Sequence, residues 1–115
     1  DVNEYMPEGQ RPVPFSNMIY VGDGVTDIPA LAVVRKNGGY GVGVYSDTTD
    51  RNVTVLRELM EGDRIDFAAR ADYSEGSELS TGLYTIARII IAKAYLRALK
   101  DKTRTRFHFG GEMAR

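Results

Sequence analysis

The stretch Met18-Ile19-Tyr20-Val21-Gly22-Asp23-Gly24-Val25-Thr26-Asp27-Ile28-Pro29-Ala30-Leu31 constrains the fold more than any other part of the chain. A short apolar run, 18–22, ends in Gly-Asp-Gly, and a helical pattern with a second aspartate four positions on begins at once. A strand buried on both faces that feeds a tight turn into a helix has this form. Turns of this kind stand at the carboxyl ends of strands, where open α/β sheets place their ligands.

Thr26 or Asp27 marks the start of that helix, and Pro29 is tolerated in a first turn whose N–H groups have no intrahelical partner. Leu31, Val34 and Ala30 supply its core side. Arg35 and Lys36 suit the negative end of the helix dipole, and Asn37-Gly38-Gly39 reads as a left-handed cap. Tyr40-Gly41-Val42-Gly43-Val44-Tyr45 alternates glycine with larger side chains, the pattern of a strand whose glycine face is closely approached by a helix or a ligand. Asp47-Thr48-Thr49-Asp50 offers capping oxygens for a helix over 51–61, in which Val53, Leu56 and Met60 recur at helical spacing and Gly62 ends the run.

Residues 65–71 read as a third, weaker strand. A polar turn, Asp72 to Ser77, then leads to the longest helix, about Ser77 to Lys100. Leu79, Leu83, Ile86, Ala87, Ile90, Ala94 and Ala98 form its apolar stripe, widened by Ile89 and Ile91. Residues 1–17, with Pro7, Pro12 and Pro14, read as an irregular lead-in, and 101–115 as a loose polar tail. Strands alternating with helices specify an α/β domain with a parallel sheet of about three strands. Right-handed crossovers in chain order put the first two helices on one face and leave the other to the long last helix. The whole, 1–115, is expected to be a single domain.

Composition narrows the partners. Fifteen basic against sixteen acidic residues give a net charge of −1, too little overall field to attract nucleic acid or an anionic membrane. The basic run Lys100, Lys102, Arg104 and Arg106, with Phe107 and Phe109, therefore reads as a solvated end. No apolar run approaches the ~20 residues of a membrane span. The absence of cysteine excludes disulfides, thiolate zinc sites and cysteine nucleophiles, and suits a cytoplasmic location. A lone histidine, His108, cannot build a zinc site.

Two carboxylates four apart at a strand-to-helix turn suit a hard cation such as Mg2+, which takes oxygen ligands and keeps several waters. Asp23 would ligate, and Asp27 would hold a metal-bound water or orient the site from behind the ligand. Gly22 and Gly24 let the backbone come close and turn sharply, and helix N–H groups near Thr26 favour an anion such as phosphate. The plainer reading has both aspartates as helix caps. Asp47, Asp50, Asp72, Glu75 and Glu78, at expected helix starts, read as caps rather than ligands.

The string from Val21 to Leu31 resembles the fourth motif of the haloacid dehalogenase (HAD) superfamily of phosphohydrolases. Val13-Pro14-Phe15-Ser16-Asn17-Met18-Ile19-Tyr20 before it, Gly38-Gly39 with Val42-Gly43-Val44-Tyr45 after it, and Ala71-Asp72-Tyr73-Ser74-Glu75-Gly76-Ser77 look like a bacterial phosphatase-like branch. The likeness covers roughly residues 1–90, with its specific strings within 13–31. It implies part of a Rossmann-like three-layer sandwich with helices on both faces of the sheet. It also implies that Asp23 ligates Mg2+, that Asp27 supports the site, and that the substrate of the parent protein is a small phosphorylated compound.

The superfamily's first motif, Asp-x-Asp, which supplies nucleophile and general acid/base, does not occur here, and Asp63-Arg64-Ile65-Asp66 is one residue too long. No lysine precedes Asp23 for the third motif. By resemblance these lie upstream of Asp1, so the chain is expected to be the C-terminal half of such a core, without catalytic residues of its own and inactive alone. The strand at 18–22 would then have an open edge, to be covered by the missing N-terminal half or by a second copy. Two other readings are a phosphorylation-domain piece like that of P-type ATPases, from which Thr26 and Ile28 depart, and a non-catalytic nucleotide-binding or interaction module.

Overall fold

The computed structural model describes residues 13–114, with side chains described through 108. After a 3-10 turn at Phe15–Asn17 the elements alternate: β1 (Ile19–Gly22), a 3-10 turn at Val25–Asp27, α1 (Ile28–Lys36), β2 (Tyr40–Tyr45), α2 (Asn52–Glu61), β3 (Phe67–Arg70) and α3 (Glu78–Ala114). The three strands form one parallel sheet in the order β1-β2-β3. This is the expected α/β architecture. The irregular lead-in is a 3-10 turn where it is described, and its first twelve residues lie outside the described part.

Local chemistry sets the element ends. Gly38 adopts φ +90°, and the N–H groups of Gly38 and Gly39 bond the carbonyls of Arg35 and Val34, so α1 closes on the left-handed cap its sequence specifies. Gly62 N–H bonds Glu58 O to close α2. Ser77 Oγ accepts from Ser80 N–H at 3.0 Å and caps α3.

Strict alternation divides the sheet into two faces. Gly41 and Gly43 face α1 and α2: a Cβ on Gly41 would lie 2.9 Å from Leu31 Cδ2, and one on Gly43 would lie 2.5 Å from Leu56 Cδ2. The close approach expected on the glycine face is thus made by helices. Leu31, Leu56, Leu59 and Ile65 form the buried cluster on this side, joined by half-buried Tyr20, Ile28, Val55 and Ala68. Each such side chain stabilises by roughly 1.5–3 kcal/mol when withdrawn from water. In α2 the inner positions are Leu56 and Leu59, while Met60 is exposed.

On the other face, Val42 pairs in register with Phe67 and Val44 with Ala69. The start of α3 covers it: Leu79 is fully buried, and Gly82 lies directly on the Phe67 ring with no room for a Cβ. Helices therefore occupy both faces.

The chain divides into two compact units between Leu83 and Tyr84. The first is the α/β layer structure just described; the second is the remainder of α3. The segment expected to be a loose tail, from its polarity and the Gly110-Gly111 pair, is helical to Ala114: the run of Lys, Arg and Thr between Asp101 and Phe107 contains no helix breaker and adds an Arg104–Asp101 pair at 3.0 Å, and α3 continues through both glycines against their propensity. The stripe widens less than its sequence suggests. Ile86 is buried, whereas Ile89 and Ile91 are exposed. Among the described residues no helix is long and apolar enough to cross a membrane.

Candidate functional site

The turn after β1 is built around Asp27. Tyr20, on β1, points to the α1 side of the sheet, and its Oη donates to Asp27 Oδ1 at 2.8 Å. The backbone N–H of Asp23 donates to Asp27 Oδ2 at 2.9 Å. Both carboxylate oxygens of Asp27 are thus engaged within the turn. These bonds favour the charged form, so Asp27 is held below the ordinary carboxylate pKa, first by the Tyr20 hydroxyl and then by the Asp23 amide. Tyr20 is correspondingly raised, chiefly because its hydroxyl is the donor. Asp27 precedes α1 without capping it by a side-chain bond, so it acts as a brace for the turn.

Asp23 is different. Its side chain is exposed, and it lies close enough to Asp27 for the two side chains to interact. It projects from the carboxyl end of β1, flanked by exposed Val25 and Thr26. Asp27 is tied down within the turn by Tyr20 and the Asp23 amide, and the Asp23 carboxylate beside it is open to solvent.

The two glycines serve space rather than backbone rotation. Among the described glycines only Gly38 and Gly76 have a left-handed φ. A Cβ on Gly22 would stand 2.6 Å from Asp27 Cβ, and one on Gly24, whose φ of 179° is simply extended, would run into the Asn52 side-chain amide. Gly22 admits the brace, and Gly24 admits the first residue of α2. The sequence offers no sign of Tyr20 or Asn52 as neighbours of the turn, apart from the period-2 alternation that puts Tyr20 on the face shared with the helices.

The remaining acidic residues fall into two groups. Asp47, Asp50 and Asp72 follow β2 and β3, at the same end of the sheet as Asp23, and each folds back on its own loop: Asp47 accepts from Thr49, Asp50 from Ser46 and Asn52, and Asp72 from Ser74. These bonds lower the pKa of all three. They organise turns rather than the helix caps expected of them, and of the three only Asp50 bonds the first residue of a helix. Asp63 and Asp66 stand at the opposite end. Asp66 accepts from Gly41 N–H at 2.8 Å and pairs with Arg35 at 2.6 Å, while Asp63 takes the other Arg35 nitrogen at 3.2 Å. The Asp63–Asp66 string is therefore an anchor between α1 and the start of β3, remote from Asp23.

Among the described residues no three His, Cys, Asp or Glu side chains are grouped as a metal site. The turn offers one solvent-exposed hard-oxygen donor, Asp23, with a braced carboxylate beside it. That suits Mg2+, which binds through one or two carboxylates and retains water, as one part of a ligand set.

No family model and no solved structure matches the chain. An uncharacterized protein of Borreliella burgdorferi is 31% identical to it over 81 residues, which are 68% of this chain and 27% of that protein. The chain spans about a quarter of the length of this curated relative.

Proposed function

We propose that this chain is the C-terminal, metal-holding part of a HAD-like, magnesium-dependent phosphohydrolase acting on small phosphomonoesters in the cytoplasm. The observation that carries the reading is the asymmetry of the Asp23–Asp27 pair. Asp27 has both oxygens committed to Tyr20 and to the Asp23 amide, whereas the Asp23 carboxylate, at the carboxyl end of a parallel strand, is exposed to solvent. A ligand-bearing carboxylate needs accessible oxygens and a fixed backbone, and this turn supplies both.

In this reading Asp23 holds Mg2+, which when bound would offset the charge of a phosphoryl group. Asp27 keeps the Asp23 backbone in place. Exposed Thr26, on the 3-10 turn ahead of α1, offers a hydroxyl toward a phosphate held at Asp23, while Gly22 and Gly24 make room for the Asp27 and Asn52 side chains that pack the turn. Transfer through an aspartyl-phosphate also requires a nucleophile and an acid/base. The described residues offer no such pair beside Asp23, so the chain alone is proposed to be without turnover. Among the described residues no strand pairs with the outer edge of β1, and that edge is where the nucleophile-bearing strand of the parent, or a second copy, would pair.

Titration of the 15N-labelled chain with MgCl2 tests the metal assignment. The expected result is saturable amide shifts at Gly22–Asp27 that are lost in Asp23→Asn. Shifts spread over all acidic turns, or unaffected by Asp23→Asn, would reduce both aspartates to turn-forming residues. Hydrolysis of p-nitrophenyl phosphate that disappears in Asp23→Ala would overturn the proposed inactivity.

A further inference from the structure

The net charge of −1 conceals a segregation. Fourteen of the sixteen acidic residues lie in 1–83, together with seven basic ones, whereas 84–115 holds eight basic residues and two acidic ones. The boundary coincides with the division into two units. The α/β unit therefore carries −7 and the helical unit +6.

The cationic helix also has an uncovered apolar stripe. Tyr84, Ile91, Tyr95 and Leu99 are 69%, 67%, 69% and 44% exposed. Their spacing of seven, four and four aligns them along one side of α3. Exposed Arg88, Lys102 and Arg106 fall on the same line, and no acidic residue does. Whatever covers this stripe must offer apolar surface and negative charge together.

Several occupants fail one of these demands. A nucleic-acid backbone offers charge but no cover for Ile91 and Leu99. A second α3 offers apolar surface but sets +6 against +6. The α/β unit of a second copy offers both. It carries −7 and leaves Val25 and Met60 exposed at 60% and 44%, Met60 lining an open groove of about 210 Å³ with Tyr45, Thr48, Val53, Leu56 and Ala68, where Arg57 is the one charged lining residue. We propose that the Tyr84–Arg106 stripe docks on the acidic α/β unit of a second copy, reciprocally, so that two identical contacts close a two-fold dimer.

The area is sufficient only if the contact is made twice. From Tyr84 to Arg106 the helix runs about 33 Å, and a strip of it is about 10 Å wide. Counted on both partners and in both contacts, this buries roughly 1,300 Å², inside the range of about 1,200–2,000 Å² of stable specific interfaces. A two-fold pair also ends the association, where a single head-to-tail contact would propagate.

Sedimentation equilibrium of the full chain at 50 and 500 mM NaCl tests the proposal. The expected result is a dimer at low salt whose Kd rises by about tenfold or more at high salt, because opposite charges are screened. Lys102→Glu combined with Arg106→Glu is expected to give a monomer with unchanged helix content by circular dichroism, and Tyr95→Ser a weaker dimer at both salt concentrations. A monomer at 50 mM NaCl would overturn the proposal, whether or not it sediments with phosphatidylglycerol vesicles. So would association that strengthens with salt, the sign of helix on helix, or association indifferent to both salt and charge reversal, the sign of pairing through the β1 edge.

Discussion

The phenol of Tyr20 and the carboxylate of Asp27, seven residues apart, meet at 2.8 Å because β1 and the turn before α1 fold against each other across Gly22. This contact separates the roles of the two aspartates. It uses one Asp27 oxygen and leaves the other for the Asp23 amide.

Acid sensitivity follows from it. Asp27 is lowered in the folded chain, so its contribution to stability is complete above the unfolded value, about 3.9, and is lost as pH falls through the lower folded value. Tyr20→Phe removes the largest cause of that lowering. The Asp27 titration, followed by carboxyl 13C NMR, is expected to move up toward the ordinary range, and the acid limb of urea stability to move with it.

Alkaline behaviour has the opposite sign. Tyr20 is raised, so its contribution is complete below the unfolded value of about 10 and fades as pH rises through the folded one. In a titration of tyrosinate absorbance, Tyr20 is expected among the late-ionising phenols, and Asp27→Asn should bring it forward. If Asp27→Asn leaves the tyrosinate curve unchanged, the bond does not hold the proton.

Gly22→Ala tests the space argument. Its Cβ would stand 2.6 Å from Asp27 Cβ, so a destabilisation of about 1–3 kcal/mol is expected from overpacking, with loss of the Tyr20–Asp27 bond. Gly76→Ala is the comparison: it has φ +82° and no neighbour within 4 Å. Its cost comes from backbone conformation alone, and Asp27 should titrate as in the parent chain.

The amino end of the sheet gives an independent prediction. Asp66→Ala leaves Gly41 N–H without its carboxylate acceptor and removes one of the two anions on Arg35. A loss of about 1–3 kcal/mol in urea unfolding is expected. Asp66→Asn keeps an acceptor for Gly41 and should cost less, while the Mg2+ response at Gly22–Asp27 should survive in both.

Much of the fold is legible in local patterns. The apolar run at 18–22, the Asn37-Gly38-Gly39 cap, the glycine alternation in β2 and the Gly62 stop each depend on residues within one or two turns of chain, and each leads to the observed element. The end of α3 is not legible in this way: its polarity and Gly110-Gly111 point to a loose end, yet the run of Lys, Arg and Thr before the glycines sustains a helix that packing periodicity does not mark. The spacing of Val53, Leu56 and Met60 points Met60 inward, but Leu59 is the residue covered, because the docking of α2 decides which of the two adjacent side chains meets the sheet.

The candidate site divides along the same line. Its place, in the turn at the carboxyl end of β1, follows from the order of apolar run, glycines and helix signals, all of them local, although β1 is an edge strand of the described sheet with Ile19, Tyr20 and Val21 half-buried rather than a strand buried on both faces. Its working did not. That Asp27 is committed to Tyr20, that Asn52 fills the space against Gly24, and that Asp66 lies at the far end tied to Arg35, 31 residues away, depend on strand register and on which helix lies over which strand. A one-residue change of register would turn Tyr20 to the opposite face of the sheet while leaving every local signal intact.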